Sequence, residues 1–397
     1  MKPFKIAVIA GTRPEAIKMA PVVRELRRRG SEIFQPLVVS VGQHREMLEQ
    51  AFRAFDITPD IDLGLMTANQ GLAQFASRSL AALAELFAAH KPDLVLVQGD
   101  TTSVATSALA AFYAGIPVGH VEAGLRSFDR RNPFPEEINR RVAGVVADLH
   151  FAPTVGARDN LLREGVPPKS VFVTGNTIVD ALRSIHVDDQ FDDFTLRVLP
   201  RNRRMILVTA HRRENHGQGL VSVFKAIRTI VRRFADVEVV YPVHLNPNVR
   251  EAAHELLGGV ERVNLVDPVA YADMIRLMSR CYLILTDSGG LQEEAPSFHK
   301  PVLILRETTE RPEVVEAGAA KIVGTSSQRI IEEASALLSD PRRYAAMSDV
   351  ENPFGDGHAA QRIVSIVQQE LLPTGPSDRD PSKKSSRSRK ARVTSVK

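Results

Sequence analysis

Four ionisable residues recur directly after apolar, strand-like runs: Asp100 in QGDTTS, Glu122 in HVEAGL, Glu136 in NPFPEEIN and His211 in TAHRREN. Carboxylates and a histidine on strand-end loops are acid–base groups held by a firm scaffold, which is what proton transfer requires. Helix capping competes for Asp100, because Thr101, Thr102 and Ser103 follow and a helix begins there. It competes less for Glu122, since Ala-Gly-Leu starts a helix poorly. Glu136 and Glu137 directly follow Pro135, so stabilisation by the helix dipole alone is the competing account there.

A second concentration lies between Thr286 and Glu313, TDSGGLQEEAPSFHKPVLILRETTERPE. The apolar run Cys281 to Leu285 breaks into Asp-Ser-Gly-Gly and then a helix starting near Leu291, so free backbone N–H groups converge where a phosphate would sit. Ser288, Gly289 and Gly290 are the candidate cradle, and the next strand delivers Arg306 and Arg311 to the same edge. Glu293 and Glu294 fall in the first turn of that helix and would repel phosphate. Neighbouring helical residues point about 100° apart, so one is expected to face the site, where a carboxylate suits a ribose hydroxyl pair, and the other to meet solvent. The first strand ends in Ala-Gly-Thr-Arg-Pro-Glu, placing Arg13 at the ligand edge with Lys18 a turn further on. Neither GxGxxG nor the Gly-Lys-Ser/Thr of a P-loop is present, leaving a basic site or a helix-start charge cluster.

No metal or cofactor is expected. The eleven histidines are scattered without HExxH, and a single cysteine, Cys281, precludes CxxC and any disulfide framework. The acidic run Asp188 to Asp193 and the Asp-Arg-Asp at 378–380 resemble metal-binding aspartate motifs, but one falls in a linker and the other in the tail. A serine hydrolase is unsupported, because no GxSxG occurs.

The elements that must position these residues alternate between strand-like and helix-like periodicity. Lys5 to Ala10, Leu37 to Val41, Asp93 to Gln98 and Pro117 to Val121 read as strands. Helices are expected over Pro14 to Arg29, His44 to Phe55, Gly71 to His90, Thr102 to Ala114 and Glu136 to Asp148. The pattern loosens from Gly175 to Arg203 and restarts at Met205 to Ala210, with strands near Val237, Val263, Tyr282, Val302 and Ala320. A chain of 397 residues, 44% hydrophobic, exceeds one core. The expected fold is therefore α/β: two Rossmann-like, doubly wound domains facing across a cleft. The expected parts are a domain over 1–177, a linker over 178–203, a second domain over 204–358, a helix over 359–372 that could pack on either domain, including back on the first, and a tail over 373–397.

That tail explains the chain's basic balance. Ser377 to Lys397 carries eight Lys/Arg and two Asp, more than the whole-chain net charge of +4, so the remainder is slightly acidic. With almost no apolar content the tail is expected to be disordered. Absent tryptophan and few tyrosines, a nucleic-acid partner is disfavoured. The lone cysteine, a short N-terminal apolar run and the lack of any membrane-length segment suggest a cytoplasmic protein without a membrane partner.

Ten motifs in order carry a likeness: GTRPEAIKMAP, GQHREML, GDTTS, AAFYAGIPVGHVEAGLR, PFPEEINR, TGNTIVDAL, HRREN, YPVHLNPNVRE, LTDSGGLQEEAPS and ETTERPE. Together they resemble the non-hydrolysing UDP-N-acetylglucosamine 2-epimerases, from about Lys5 to Leu371. The resemblance implies a glycosyltransferase-B-like fold, a homodimer, and interconversion of UDP-N-acetylglucosamine and UDP-N-acetylmannosamine by elimination of UDP to a 2-acetamidoglucal and its readdition. That activity would supply sugars for cell-surface polysaccharide.

By the same resemblance, Asp100, Glu122, Glu136 and His211 match catalytic positions. Arg13, Lys18, His211, Ser288, Gly289, Gly290 and Arg311 match positions holding UDP or its phosphates. Glu294 matches the ribose-binding carboxylate, and Met274 stands on the uracil side where many relatives have Phe, with Val269 where some have Gln. Gln43, His44 and Arg78 match positions at which some relatives bind a second substrate molecule as an activator. A relative acting on a UDP-2,3-diacetamido-uronic acid is the nearer alternative, with Arg126, Arg130 or Arg131 as the extra cation. A retaining glycosyltransferase or a silent nucleotide-sugar sensor of the same fold are the remoter ones.

Overall fold

The computed structural model describes residues 2–42, 48, 51–67, 70–185 and 190–372. The first sheet contains β1 (Phe4–Ala10), β2 (Phe34–Ser40), β3 (Ile61–Asp62), β4 (Leu94–Gln98), β5 (Val118–Val121), β6 (Leu149–Ala152) and β7 (Val171–Val173), in the order β3-β2-β1-β4-β5-β6-β7. The second contains β8 (Arg204–Thr209), β9 (Val237–Pro242), β10 (Val263–Val266), β11 (Leu283–Thr286), β12 (Val302–Ile304) and β13 (Ala320–Ile322), in the order β10-β9-β8-β11-β12-β13. Every pairing between these strands is parallel.

Helices cover both faces, which is why the central strands are apolar without alternation. Successive residues of β1 feed opposite cores: Ile6 and Val8 join one cluster, Ala7 and Ile9 another. In β8, Ile206 and Val208 enter the second domain's own core, whereas Leu207 belongs to the cluster that contains Ile6 and Val8. A single apolar cluster therefore runs from one domain into the other.

Strand order reverses between β1 and β4 and again between β8 and β11. The carboxyl ends at such reversals diverge and open a crevice, the usual ligand position in open α/β sheets. The two crevices face each other. Their packing demands small residues: a Cβ on Gly11, just past β1, would stand 2.1 Å from Ser103 Oγ at the start of helix Thr102–Tyr113. Gly99, just past β4, has φ +84°, a conformation that disfavours any side chain.

Helix Thr177–Ser184, capped by Asn176, occupies the first part of the segment expected as a linker and packs on helix Arg13–Arg28. The same two helices receive helix Ala359–Leu371, whose Ile363, Val364 and Val367 are buried. Asp180 accepts the N–H groups of Ala359 and Ala360 at 3.1 and 2.8 Å, satisfying amides that have no intrahelical partner. The chain thus crosses back to its first domain. Of the acidic run, Asp192 and Asp193 donate their amides to the Asp273 carboxylate, both at 2.9 Å, and tie the linker to the second domain. The start of the expected helix over His44 to Phe55 and the basic tail lie outside the described residues. Among those residues, no helix is long and apolar enough to cross a membrane.

Candidate active site

The facing strand ends enclose a cavity of ≈ 560 Å³ lined from both domains. Arg13, Lys18, Asp100, Glu122 and Glu136 line it from the first, and His211, Met274, Ser288, Gly289, Gly290, Glu294 and Arg311 from the second. A larger groove of ≈ 740 Å³ around the linker, lined by Arg197, Arg201 and Arg203, contains none of the expected site residues and sits away from the strand ends. Size alone would have chosen wrongly.

On the second-domain side, β11 leads through Asp287 to Ser288, which stands at the N-cap of helix Gly289–Glu294. The leading amides of a helix lack intrahelical acceptors, so Gly289 and Gly290 present donors beside the cavity. Asp287 turns inward. It accepts the backbone N–H groups of His211 and Arg212, both at 2.8 Å, and Asn215 Nδ2 at 3.0 Å, and so pins the loop after β8. His211 stacks on His244 with ring centroids 5.2 Å apart, and its Nδ1 lies 3.3 Å from Asp287 Oδ1. Burial holds the imidazole below its ordinary pKa against the opposing pull of Asp287, so it is neutral at pH 7.

Both glutamates of the Gly-Gly-Leu-Gln-Glu-Glu helix are buried, which corrects the expectation that one meets solvent. They occupy the last turn of that short helix and not its first. The helix is wedged between domains, so two directions about 100° apart both meet protein. Glu294 faces Tyr271, whose hydroxyl donates to Oε1 at 3.1 Å, and the Arg13 guanidinium lies over the Tyr271 ring at 5.7 Å. Burial pushes Glu294 up to about 7. Glu293 faces the first domain: its Oε2 lies 2.7 Å from Lys18 Nζ, and its Oε1 accepts from Arg311 Nε. Lys18 and Arg311, expected at phosphate, thus also contact carboxylates here. Lys18 pairs with Glu122 as well, and Arg311 Nη2 is 3.9 Å from Glu122 Oε1.

On the first-domain side, Glu122 sits just past β5 with φ +64°, an unfavourable region for a non-glycine residue that its contacts must hold in place. Asn176 Nδ2 donates to its Oε2 at 3.0 Å. Burial, with Glu293 assisting and Lys18 and Arg311 opposing, raises the Glu122 pKa. Asp100 is not the helix cap. Thr101 is, its hydroxyl accepting from Val104 N, which leaves the Asp100 carboxylate free to pair with Arg140. Arg140 also lies 3.3 Å from Glu137 and 3.4 Å from Glu310 of the other domain. Glu137 is fully buried, more than a dipole-favoured surface residue, and accepts Ser127 N–H at 3.0 Å. Glu136 is raised by burial and, less, by Asp100.

Other expected residues are not brought to the cavity. Gln43 and His44 lie outside the described residues, and Arg78 is exposed, 3.2 Å from both Thr67 Oγ1 and Gln70 Oε1. Arg126 is buried in a two-pronged pair with Glu164, at 2.8 and 2.6 Å, and is unavailable to a uronate. Arg130 and Arg131 are exposed and line no part of the cavity. Among the described residues no group of three His, Cys, Asp or Glu is placed to hold a metal ion.

The family model described as UDP-N-acetylglucosamine 2-epimerase matches residues 24–368. A UDP-N-acetylglucosamine 2-epimerase of Bacillus subtilis (strain 168) is 53% identical over 372 residues, 94% of this chain and 96% of its own length. The chain belongs to the UDP-N-acetylglucosamine 2-epimerase family. Two solved relatives share its architecture, two parallel-sheet domains of the glycosyltransferase-B type. The Neisseria meningitidis UDP-GlcNAc 2-epimerase bound to UDP-GlcNAc has a TM-score of 0.86 at 44% identity, covering 92% of this chain and 100% of that one. The S. aureus MnaA–UDP co-structure has a TM-score of 0.86 at 47% identity, covering 96% and 100%.

Within this epimerase family site, several residues that sequence reasoning did not single out stand beside those it did. Glu15, in the first turn of helix Arg13–Arg28, is buried, accepting Gly11 N–H at 2.7 Å and the hydroxyls of Thr12 and Thr101 at 3.0 and 2.7 Å. It links the loop carrying Arg13 to the loop carrying Asp100. Behind Pro14 it reads as an ordinary helix-start acid, so no local signal marked it. Arg140, one helical turn beyond Glu136, and Glu310, adjacent to Arg311, were legible only as neighbours of residues already chosen.

Proposed function

We propose that the protein interconverts UDP-N-acetylglucosamine and UDP-N-acetylmannosamine at this cavity. The observation that carries the reading is the convergence of three first-domain carboxylates, Asp100, Glu122 and Glu136, on a cavity whose opposite wall is His211 and the Ser288–Gly290 turn. One wall offers proton-transfer groups and the other offers donors to a diphosphate. The likeness to relatives solved with UDP-GlcNAc and with UDP supports the same substrate class.

The chemistry accounts for the charge at the site. The hydrogen on sugar C2 is not acidic, since no carbonyl adjoins it. As the anomeric C–O bond stretches, C1 gains oxocarbenium character and the C2 proton becomes removable. A carboxylate takes that proton, the C–H pair forms the C1–C2 double bond, and UDP leaves with the C–O pair. Readdition reverses each change: an acid delivers a proton to the opposite face of C2, and the UDP oxygen attacks C1. Proton carriers are needed on both faces, and burial, which raises Glu122 and Glu136 above the ordinary carboxylate value, lets each hold a proton more readily than a solvated carboxylate does. Arg13 and the Ser288–Gly290 amides hold the diphosphate, with Lys18 and Arg311 offering further N–H donors from the cavity floor. Neutral His211 donates to the leaving oxygen, and Glu294 takes the ribose hydroxyls. Met274, with Val269 and Tyr271, supplies the apolar wall for uracil.

In deuterated water, the protein is expected to convert UDP-N-acetylglucosamine to the manno epimer with deuterium at C2, followed by NMR. Absence of both products refutes the reading, and faster turnover of a uronate sugar would favour the alternative substrate. A homodimer belongs to the same reading. Phe112 and Tyr113 are exposed at the end of their helix and are available for such a contact, which sedimentation equilibrium tests.

A further inference from the structure

Two ion pairs, one from each domain, meet in the floor of the cavity. Lys18 and Glu122 come from the first domain, and Glu293 and Arg311 from the second. Closed against each other they alternate in sign, with Lys18 Nζ 2.7 Å from Glu293 and Arg311 Nη2 3.9 Å from Glu122. None of the four exceeds 9% exposure, and Glu293 has none. Their charges cancel. An alternating quartet is favourable in a dry setting, whereas three of its members leave an uncompensated buried charge.

We propose that Glu293 is a positioning residue which, by completing this quartet from the second domain, holds Glu122 ready for proton transfer and makes transfer at C2 conditional on domain closure. The inference rests on the epimerase reading and extends it to a residue outside the expected site. Glu293 acts through others: both its oxygens face the quartet's cations, and its main-chain oxygen is held by Asn352 Nδ2 at 3.1 Å.

The electrostatics follow from the contacts. With the domains apart, Glu122 keeps Lys18 alone. Closure brings up Arg311, which would fix Glu122 as a permanent carboxylate unless a second negative charge arrived with it. Glu293 is that charge. It pushes Glu122 up while Lys18 and Arg311 pull it down. Around this group, Asn176 reaches Glu122 from helix Thr177–Ser184, and Glu310 lies 3.6 Å from Arg311. Glu294, with Tyr271 and Arg13 beyond it, adjoins Glu293 on its own helix.

The test is Glu293→Gln and Glu293→Asp beside the wild type, with C2 deuterium exchange, UDP calorimetry and the pH profile of kcat/KM. Wild-type exchange establishes the reading itself, and its absence would defeat that reading and not this proposal alone. Glu293→Gln is expected to bind UDP as tightly as wild type or more so, because an extra positive charge faces the diphosphate. It is expected to lose exchange by roughly 10²-fold or more, with the acid limb of the profile moved to lower pH. Glu293→Asp, which keeps the charge on a shorter arm, retains the wild-type acid limb at a reduced rate. Parallel losses of UDP binding and exchange with an unmoved acid limb, or identical profiles for the two variants, would overturn the proposal. If the Gln variant does not fold, the Asp variant decides alone: exchange must fall further than UDP affinity, and equal losses contradict.

Discussion

Glu15 is a buried carboxyl surrounded by three neutral hydrogen-bond donors, Gly11 N–H and the hydroxyls of Thr12 and Thr101, and this makes a quantitative prediction about pH. Burial raises it from the ordinary 4.5 to about 7, with Asp100 adding a small push and the three hydrogen bonds opposing. A carboxyl raised in the folded state holds its proton there when the unfolded chain has lost it. Its favourable contribution is therefore complete below the unfolded value, declines as pH rises, and is gone above about 7. At about 1.4 kcal/mol per pH unit the gap corresponds to about 3 kcal/mol. The geometry admits both forms. Gly11 N–H can only donate to Oε2, while the two threonine hydroxyls at Oε1 can donate to a carboxylate or accept from a protonated acid. Glu15→Gln removes the ionisation and keeps the shape. Urea unfolding of both proteins between pH 4.5 and 7.5 should show the wild type losing about 3 kcal/mol relative to the variant across that window. Using the difference cancels Glu294, which is also raised to about 7 and titrates in both proteins. Stability curves that run parallel from pH 4.5 to 7.5 would refute the assignment of Glu15 as a buried, titrating carboxyl.

Arg311→Met leaves Lys18 facing both Glu122 and Glu293, so it should cost about 3–5 kcal/mol of stability as a broken buried pair and weaken UDP binding measured by calorimetry. Ile363→Ala opens the contact of the last helix with helix Arg13–Arg28, where Ile363 is fully buried, and should cost about 2–5 kcal/mol in urea unfolding. Met274→Phe places a ring on the uracil wall and should tighten UDP binding, a gain of about 0.5–1.5 kcal/mol if the rings stack. Unchanged affinity would place the base elsewhere.

The fold was legible because parallel strands buried on both faces announce themselves as apolar runs, and because the ionisable residues stood at their carboxyl ends. That reasoning reached Asp100, Glu122 and His211 without any knowledge of which strands were neighbours, whereas Glu136, expected directly after a strand, opens helix Glu136–Val146 beyond a long loop after β5 and lines the cavity from there. It went astray where the deciding partner lies far along the chain. Glu293 was judged against its own helix, where one of two adjacent acids has to turn from the site. Its partner Lys18 belongs to the other domain, and no local periodicity encodes a helix wedged between two walls. Helix Ala359–Leu371 shows the same limit: its apolar stripe says that it packs, and only Asp180 accepting its leading amides says where. The capping account of Asp100 fell for a smaller reason. Threonine at position 101 does the same job one residue later.

The central claim is a division of labour, with UDP held mainly by the second domain, assisted by Arg13 and Lys18 of the first, and proton transfer at C2 performed by the first-domain carboxylates. Asp100→Asn tests it most directly, through UDP calorimetry and C2 deuterium exchange on one preparation. Asp100 pairs with Arg140 at the first-domain wall, away from the Ser288–Gly290 turn, so UDP affinity should stay within about two-fold while exchange falls by roughly 10²-fold or more. Weakened UDP binding with exchange retained at saturating substrate would contradict the account.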